Sequence, residues 1–427
     1  MNPIETLYSH YAKAYKVSTD SRKIEPNAVF FALKGENFDA NDFAMQVAEG
    51  GVASLVVADR KDLPQHERIL KVEDSLKTLQ NLAAYHRQQM KATVLSITGT
   101  NGKTTTKELV SAVLAQKYNI IHTMGNLNNH IGVPLTLLSI KPETEIAVVE
   151  MGANHPGEID FLCKIADPDY GLITNIGKAH LEGFGSFEGV IKTKTELYRH
   201  IKSHGKAVFV NQGNPLLWEQ SEGIERISYG RHCDAFCPVA PGKCDPYLSV
   251  VWNKLNIQTR LVGSYNFENV AAAIGVGQYF KVEDDIIVEA LEAYTPTNSR
   301  SQVIQTEKNR IIMDAYNANP TSMRAALINF ASICGDEHLL ILGDMRELGT
   351  ASEEEHRNIL SLMKELGFKE AFLVGTNFCA YNENPNWKTF GNVMDLCQHL
   401  ENHPVSGKTI LVKGSNSIQL GKVLPLL

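Results

Sequence analysis

The sequence predicts an α/β protein of three units, at about residues 1–92, 93–297 and 298–427. Three observations predict it. A chain of 427 residues is too long for one usual domain. Short aliphatic, β-branched runs alternate with helical periods through the middle and final parts, the pattern of mostly parallel sheets with helices on both faces. That pattern breaks at Pro296-Thr297-Asn298-Ser299-Arg300 and then resumes.

In the first unit, Val29–Leu33 and Ser54–Val57 read as strands, and Phe43–Ala48 and Leu76–Met90 as helices. The middle unit offers strands at 93–97, 119–123, 146–150, 171–175 and 206–210. Helices are expected at 104–116, 157–166 and 187–202. The third unit has strands at 310–314, 338–342, 371–374 and 409–412 with helical stretches between them, which reads as a small Rossmann-like domain.

Composition narrows the class. Hydrophobic residues make up 43% and charged residues 21%, ordinary for a soluble globular protein. The net charge of −7 gives no electrostatic footprint for nucleic acid or an anionic membrane. No apolar run reaches the roughly 18–20 residues that span a bilayer, and the N-terminus reads as no signal peptide. Seven widely spaced cysteines are expected to be free thiols in a reducing, cytoplasmic setting. Cys233, Cys237 and Cys244 lack zinc-site spacing.

The segment Thr98-Gly99-Thr100-Asn101-Gly102-Lys103-Thr104-Thr105-Thr106 carries the most information. It follows a buried-type strand and opens a helix. Glycines let successive N–H groups face one anion, and the helix adds its positive N-terminus. Lys103 supplies a point charge for terminal phosphates and Thr104 a hydroxyl for Mg²⁺. Ile97 stands where the standard P-loop has glycine. A nucleoside triphosphate site is expected.

Other residues leave two readings open. Glu150 ends a strand, as a Mg²⁺ ligand or as a solvated carboxylate. His180 follows a strand within Asn175–Gly185, where a structural role is the plainer reading, and Lys194 reads as a solvated helical lysine. Arg300, at the break between units, suits either a linker ion pair or a reach to a γ-phosphate. Asn266 either caps the helix after it or, with Asn269, reads a base. Ser21-Arg22 forms a solvated turn or meets an anionic or uracil-like group. The loop Asp314–Met323 carries more amides and hydroxyls than an N-cap needs.

Taken in chain order, these motifs resemble the Mur ligases, ATP-dependent amino-acid ligases of peptidoglycan synthesis. The resemblance rests on Gly-Thr-Asn-Gly-Lys-Thr-Thr, Glu150-Met151-Gly152, Asn175–Ser186 and Tyr265-Asn266-x-x-Asn269, and covers nearly the whole chain. Asp314-Ala315-Tyr316-Asn317-Ala318-Asn319-Pro320-Thr321-Ser322-Met323 and Leu342–Gly349 resemble the branch that adds a dipeptide last. Folylpolyglutamate synthetases share the central fold without this N-terminal unit. The chain has Asp39-Ala40-Asn41 where the family commonly has Asp-Gly-His, and Tyr265 where it often has His.

The resemblance implies a UDP-sugar-peptide-binding first domain, an ATP-binding centre and a third domain binding D-alanyl-D-alanine. It implies that Gly99, Thr100, Asn101, Gly102, Lys103, Thr104 and Thr105 hold ATP phosphates. Thr104 and Glu150 would ligate one Mg²⁺, and His180 and a carbamylated Lys194 a second. Asn266 and Asn269 would face adenine, Arg300 the γ-phosphate and Asp314 the ribose. Asn317, Asn319 and Ser322 would line the dipeptide site, and Ser21 and Arg22 the UDP-N-acetylmuramoyl-tripeptide site. Lys103, His180, Lys194 and Arg300 would be the catalytic set. A cytoplasmic monomer is expected. A rival within the same fold adds a different amino acid; a rival from another class is an ATP-gated binding protein without chemistry.

Overall fold

Parallel strands place the tips of the central sheet where a ligand can reach them. The structure, a computed structural model, describes residues 3–179, 181–297 and 300–427. The first sheet runs Val17–Ser18, Val29–Phe31, Leu55–Ala58, Ile69–Lys71, parallel throughout. Val29, Phe30 and Phe31 are all buried, as a strand covered on both faces requires. Two edge strands and the helix Pro3–Tyr11 are too short or too weakly periodic for the sequence to announce.

The middle sheet has seven parallel strands. Their order is Cys237–Pro238, Arg226–Gly230, Ala207–Asn211, Tyr170–Ile173, Thr93–Thr98, Ile146–Glu150, Ile120–His122. Alternate residues feed two cores. Leu95 and Ile97 pack with Leu109, Val113, Val270 and Ile274 from the helices Lys103–Leu114 and Phe267–Tyr279. Val94 and Val149 pack with Leu79, Ile159 and Leu197 on the other face. That second core continues into Leu7, Val29 and Phe31. Tyr11 Oη donates to the Leu138 carbonyl at 2.6 Å, so the first unit is anchored on the second.

Two departures from the sequence reading matter. The helix expected over 187–202 is two helices, Phe187–Lys194 and Glu196–His204, meeting at Thr195. Glu196 turns away to accept the backbone N–H groups of Gly157 (2.9 Å) and Asp160 (2.8 Å), at the start of the helix Glu158–Ala166. An unforeseen antiparallel sheet, Ala240–Cys244, Tyr247–Trp252 and Leu255–Val262, follows the seven-stranded one. Its hairpin turns at Asn253 and Lys254, both with positive φ (50° and 65°).

The third sheet runs Gln302–Gln305, Arg310–Asp314, Thr409–Lys413, His338–Gly343, Ala371–Val374, Trp387–Phe390. It is parallel except for the first pair. The helix Pro320–Ile333 leaves Asp314 and returns along the sheet. Among the described residues no helix is long and apolar enough to cross a membrane.

Candidate active site

The carboxyl ends of Thr93–Thr98, Ile146–Glu150 and Tyr170–Ile173 open onto a cavity of about 820 Å³. Its wall includes Thr100–Thr105, Glu150, Asn266, Asn269, Arg300, Asp314, Asn317 and Ser322. Residues from the middle and third units therefore face one space.

The phosphate loop closes tightly. Gly102 has φ +79°, and a Cβ there would stand 2.4 Å from Asn269 Oδ1. Gly99 has φ +141°, with Thr174 Oγ1 2.1 Å from where its Cβ would be. Lys103 Nζ folds back to donate to the carbonyls of Gly99 (2.8 Å) and Thr100 (3.0 Å). Burial, with repulsion from Arg300, brings its pKa down to about 8 against the pull of Glu150. A triphosphate would replace those carbonyls with full anions.

Glu150 is only 1% exposed, which removes the reading as a solvated strand end. Its Oε1 accepts from Thr104 Oγ1 (3.1 Å) and Asn128 Nδ2 (2.8 Å). Its Oε2 is buried without a hydrogen bond among the described residues, 3.8 Å from Lys107 Nζ. Lys107, one helical turn after Lys103, also donates to the Thr123 carbonyl at 2.8 Å. The sequence reading missed Lys107 and Asn128. Their signals were the i, i+4 spacing of the two lysines and the run Asn126-Leu127-Asn128-Asn129.

Lys194 is 2% exposed, so it is no surface lysine. Its Nζ donates to the Ala153 carbonyl at 3.3 Å and lies 5.3 Å from the centre of the Phe184 ring. Burial, and then the charge of Lys103, hold its pKa well below the usual lysine range. His180 lies outside the described residues.

Asn266 stands at the N-cap position of the helix Phe267–Tyr279, but its side chain makes no capping bond. Its Nδ2 donates to the Val262 carbonyl (2.9 Å) and Ser301 Oγ (3.2 Å), and its Oδ1 accepts from Asn269 Nδ2 (2.9 Å). Asn269 Oδ1 accepts from Thr106 Oγ1 at 3.0 Å. These amides spend much of their capacity bracing the phosphate-loop helix. Arg300 stacks its guanidinium 3.8 Å from the centre of the Tyr316 ring. Its Nε is buried without a hydrogen-bond partner among the described residues. Asp314 pairs with Lys413 (2.7 Å) and accepts the Ser301 N–H (3.3 Å).

The amides of the third-unit loop divide by task. Asn319 and Ser322 form a capping box on the helix Pro320–Ile333, so part of this loop is an N-cap after all. Asn319 Nδ2 also reaches Asn101 Oδ1 at 2.8 Å, tying that helix to the phosphate loop. Asn317 is exposed on the cavity wall. Gly99, Lys194 and Asn319 sit behind the wall rather than on it, and Ser21 and Arg22 do not line it. Arg22 makes two bonds to Asp20 (2.8 and 2.9 Å) and is 84% exposed, the solvated-turn arrangement. Asn41 is buried, bridging Asp39 (2.7 Å) and Asp59 (2.8 Å).

Comparison with known proteins agrees in extent and order. Residues 13–87 match the catalytic-domain model of the Mur ligase family, 97–277 the Mur ligase middle domain, and 299–416 the Mur ligase glutamate ligase domain. The chain is 35% identical to a UDP-N-acetylmuramoyl-tripeptide–D-alanyl-D-alanine ligase of Bacillus subtilis. The match covers 96% of this chain and 92% of that protein. The Escherichia coli protein of the same description is 36% identical over the same shares. Among solved structures, MurF from Acinetobacter baumannii superposes with a TM-score of 0.85 at 32% identity, over 96% of this chain and 92% of that one. A MurF ligase from Thermotoga maritima in complex with ADP gives 0.83 at 25% identity, over 96% of both chains. Matched in order from end to end, by models and by relatives above 30% identity, the chain belongs to the Mur ligase family.

Proposed function

We infer that this chain is an ATP-dependent ligase joining D-alanyl-D-alanine to UDP-N-acetylmuramoyl-tripeptide in peptidoglycan precursor synthesis. The observation that carries the reading is the meeting of the phosphate loop, Glu150, Arg300 and the Asp314–Ser322 loop at one cavity, in a chain similar throughout to enzymes of that description. The terminal carboxylate of the tripeptide attacks the γ-phosphorus of ATP. The bond to ADP breaks and an acyl phosphate forms. The amine of the dipeptide then attacks the acyl carbon, phosphate leaves, and a proton is released. Lys103 and Arg300 offset charge on the transferring group. The third domain brings the amine and keeps water from the acyl phosphate.

Mg²⁺ fits the Thr104–Glu150 pair. The two offer one hydroxyl and one buried carboxylate whose Oε2 has no hydrogen bond among the described residues, and a hard cation can fill its remaining positions with phosphate and water oxygens. Bound there, it would neutralise phosphate charge. Lys194 is read as a carbamate that gives oxygen ligands to a second such ion.

The test is phosphate release, which should require the UDP-tripeptide and the dipeptide together. An ATP-gated binding protein would not need both. Lys103→Ala should cut kcat by about 10²–10³, the scale of one lost transition-state contact. Near-normal ligation by that folded variant would refute the phosphate-loop role. Nucleotide binding should also return the Lys103 pKa toward the ordinary lysine value. At about pH 8.5, ADP binding should therefore take up a fraction of a proton. Calorimetry in buffers of different ionisation enthalpy measures this, and Lys103→Met should abolish it.

A further inference from the structure

Residues 175–179 and 181–184 lie between the strand Tyr170–Ile173 and the helix that carries Lys194. They touch three parts of the machinery. Toward the phosphate loop, the Gly177 N–H donates to Thr100 Oγ1 at 3.0 Å, and that hydroxyl donates back to the Gly177 carbonyl at 3.3 Å. Asn175 Oδ1 accepts the Asn101 N–H at 3.0 Å. At the far end stands Phe184, whose ring covers Lys194 Nζ.

Toward the third domain, Lys178 Nζ meets Glu355 Oε1 at 3.1 Å. The Glu355 side chain is 10% exposed, whereas that of Lys178 is 58% exposed. Gly349 closes the motif Leu342–Gly349, with φ +54°. A Cβ on it would stand 3.3 Å from Glu182 Cβ, so this turn seats directly on Glu182. Neither the motif nor this ion pair has a part in the chemistry described above.

We propose that Lys178, Glu355 and Gly349 are positioning residues. They form a clasp by which the third domain holds residues 175–179 and 181–184 against the phosphate loop and Lys194. Arrival of the domain that brings the amine is thereby coupled to the shape of the site that activates the carboxylate. The proposal rests on the ligase reading. Both could fail separately, because wild type runs in the same assay: an inactive wild type would refute the ligase reading, not the clasp.

The experiment is a charge swap. K178E and E355K should each lower kcat about fivefold, the upper range for a partly exposed ion pair, with the KM for ATP changed less than about twofold. The double variant K178E/E355K should return kcat to within about twofold of wild type, because the pair is re-formed with its signs exchanged. A side chain needed only for its own packing, without the partner's charge, would not be rescued this way; equal melting temperatures for wild type and the single variants separate the effect on kcat from a loss of folded protein. G349A should lower kcat about tenfold with the same unchanged KM, from backbone strain at positive φ and the approach to Glu182. Single variants with wild-type kcat would overturn the clasp, as would a swap no better than its singles. Lys178 is exposed enough for its substitutions to leave folding intact.

Discussion

Replacing Lys194 by alanine is expected to lower kcat by about 10³, with acetate or formate restoring part of the loss. The expectation starts from burial. An ammonium buried and repelled by the charge of Lys103 is unfavourable, and the neutral amine dominates at lower pH than in a free lysine. A neutral amine can add to CO₂. The N–C bond forms, a proton leaves, and a cation becomes an anion with two oxygens. Glu196 does not neutralise the lysine by direct contact, because its carboxylate is spent on the N–H groups of Gly157 and Asp160. A small carboxylate diffusing into the space left by Lys194→Ala would return the oxygens without the chain. Two measurements check this: kcat against acetate concentration, and a ¹³C carbamate resonance from wild type in labelled bicarbonate. A fully active Lys194→Ala would sink the assignment, as would a wild type lacking the resonance while turning over normally.

Much of this architecture was legible because its signals are local. The strands Ile146–Glu150, Arg310–Asp314 and Ala371–Val374 stand at the residues read from the sequence. Each is a short apolar run with a polar or glycine boundary. The phosphate loop was legible for the same reason: strand, glycines, lysine and helix follow one another directly between Thr93 and Leu114. The hairpin of Tyr247–Trp252 and Leu255–Val262 was not read, although exposed and buried residues alternate from Asn256 to Leu261. The α/β rhythm around it obscured that alternation.

What stayed hidden depends on tertiary neighbours. Lys194 looks like any helical lysine until Phe184 and Ala153 close over it. Nothing within the chain's local spacing tells a buried Glu150 from an exposed one. Asn266 was weighed as a cap or a base reader; its side chain makes no capping bond, braces Asn269, Val262 and Ser301, and lies on the cavity wall. Asn319 serves two masters, capping its own helix and holding Asn101 more than two hundred positions away. Long-range hydrogen bonds of this kind leave no period in the sequence.

That division between Asn317 and Asn319 shapes the test of amine choice. With UDP-tripeptide saturating, D-alanyl-D-alanine should exceed D-alanine, L-lysine and diaminopimelate in kcat/KM by roughly 10⁴–10⁵. A site built to bond a dipeptide leaves polar groups unpaired when a single amino acid binds, and that penalty cannot be recovered by packing. The helix Pro320–Ile333 turns Thr321, Ser322, Ala325 and Ile328 toward the cavity, hydroxyls first and apolar groups a turn or two later. Ile328 is 46% exposed there, open to a small methyl group. Asn317 is exposed beside them and has no part in the capping box. Asn317→Ala should therefore raise the dipeptide KM about tenfold, near 1.4 kcal/mol, and leave the ATP KM within about twofold. Asn319→Ala should behave differently. It removes a helix cap worth about 1 kcal/mol and the tie to Asn101, so both KM values should rise together. A single amino acid that matches the dipeptide would overturn the dipeptide-adding assignment and leave a Mur ligase of another step. If Asn317→Ala and Asn319→Ala instead shift the two KM values alike, the dipeptide is not read at Asn317, because the structure gives only Asn319 a path to the phosphate loop through Asn101.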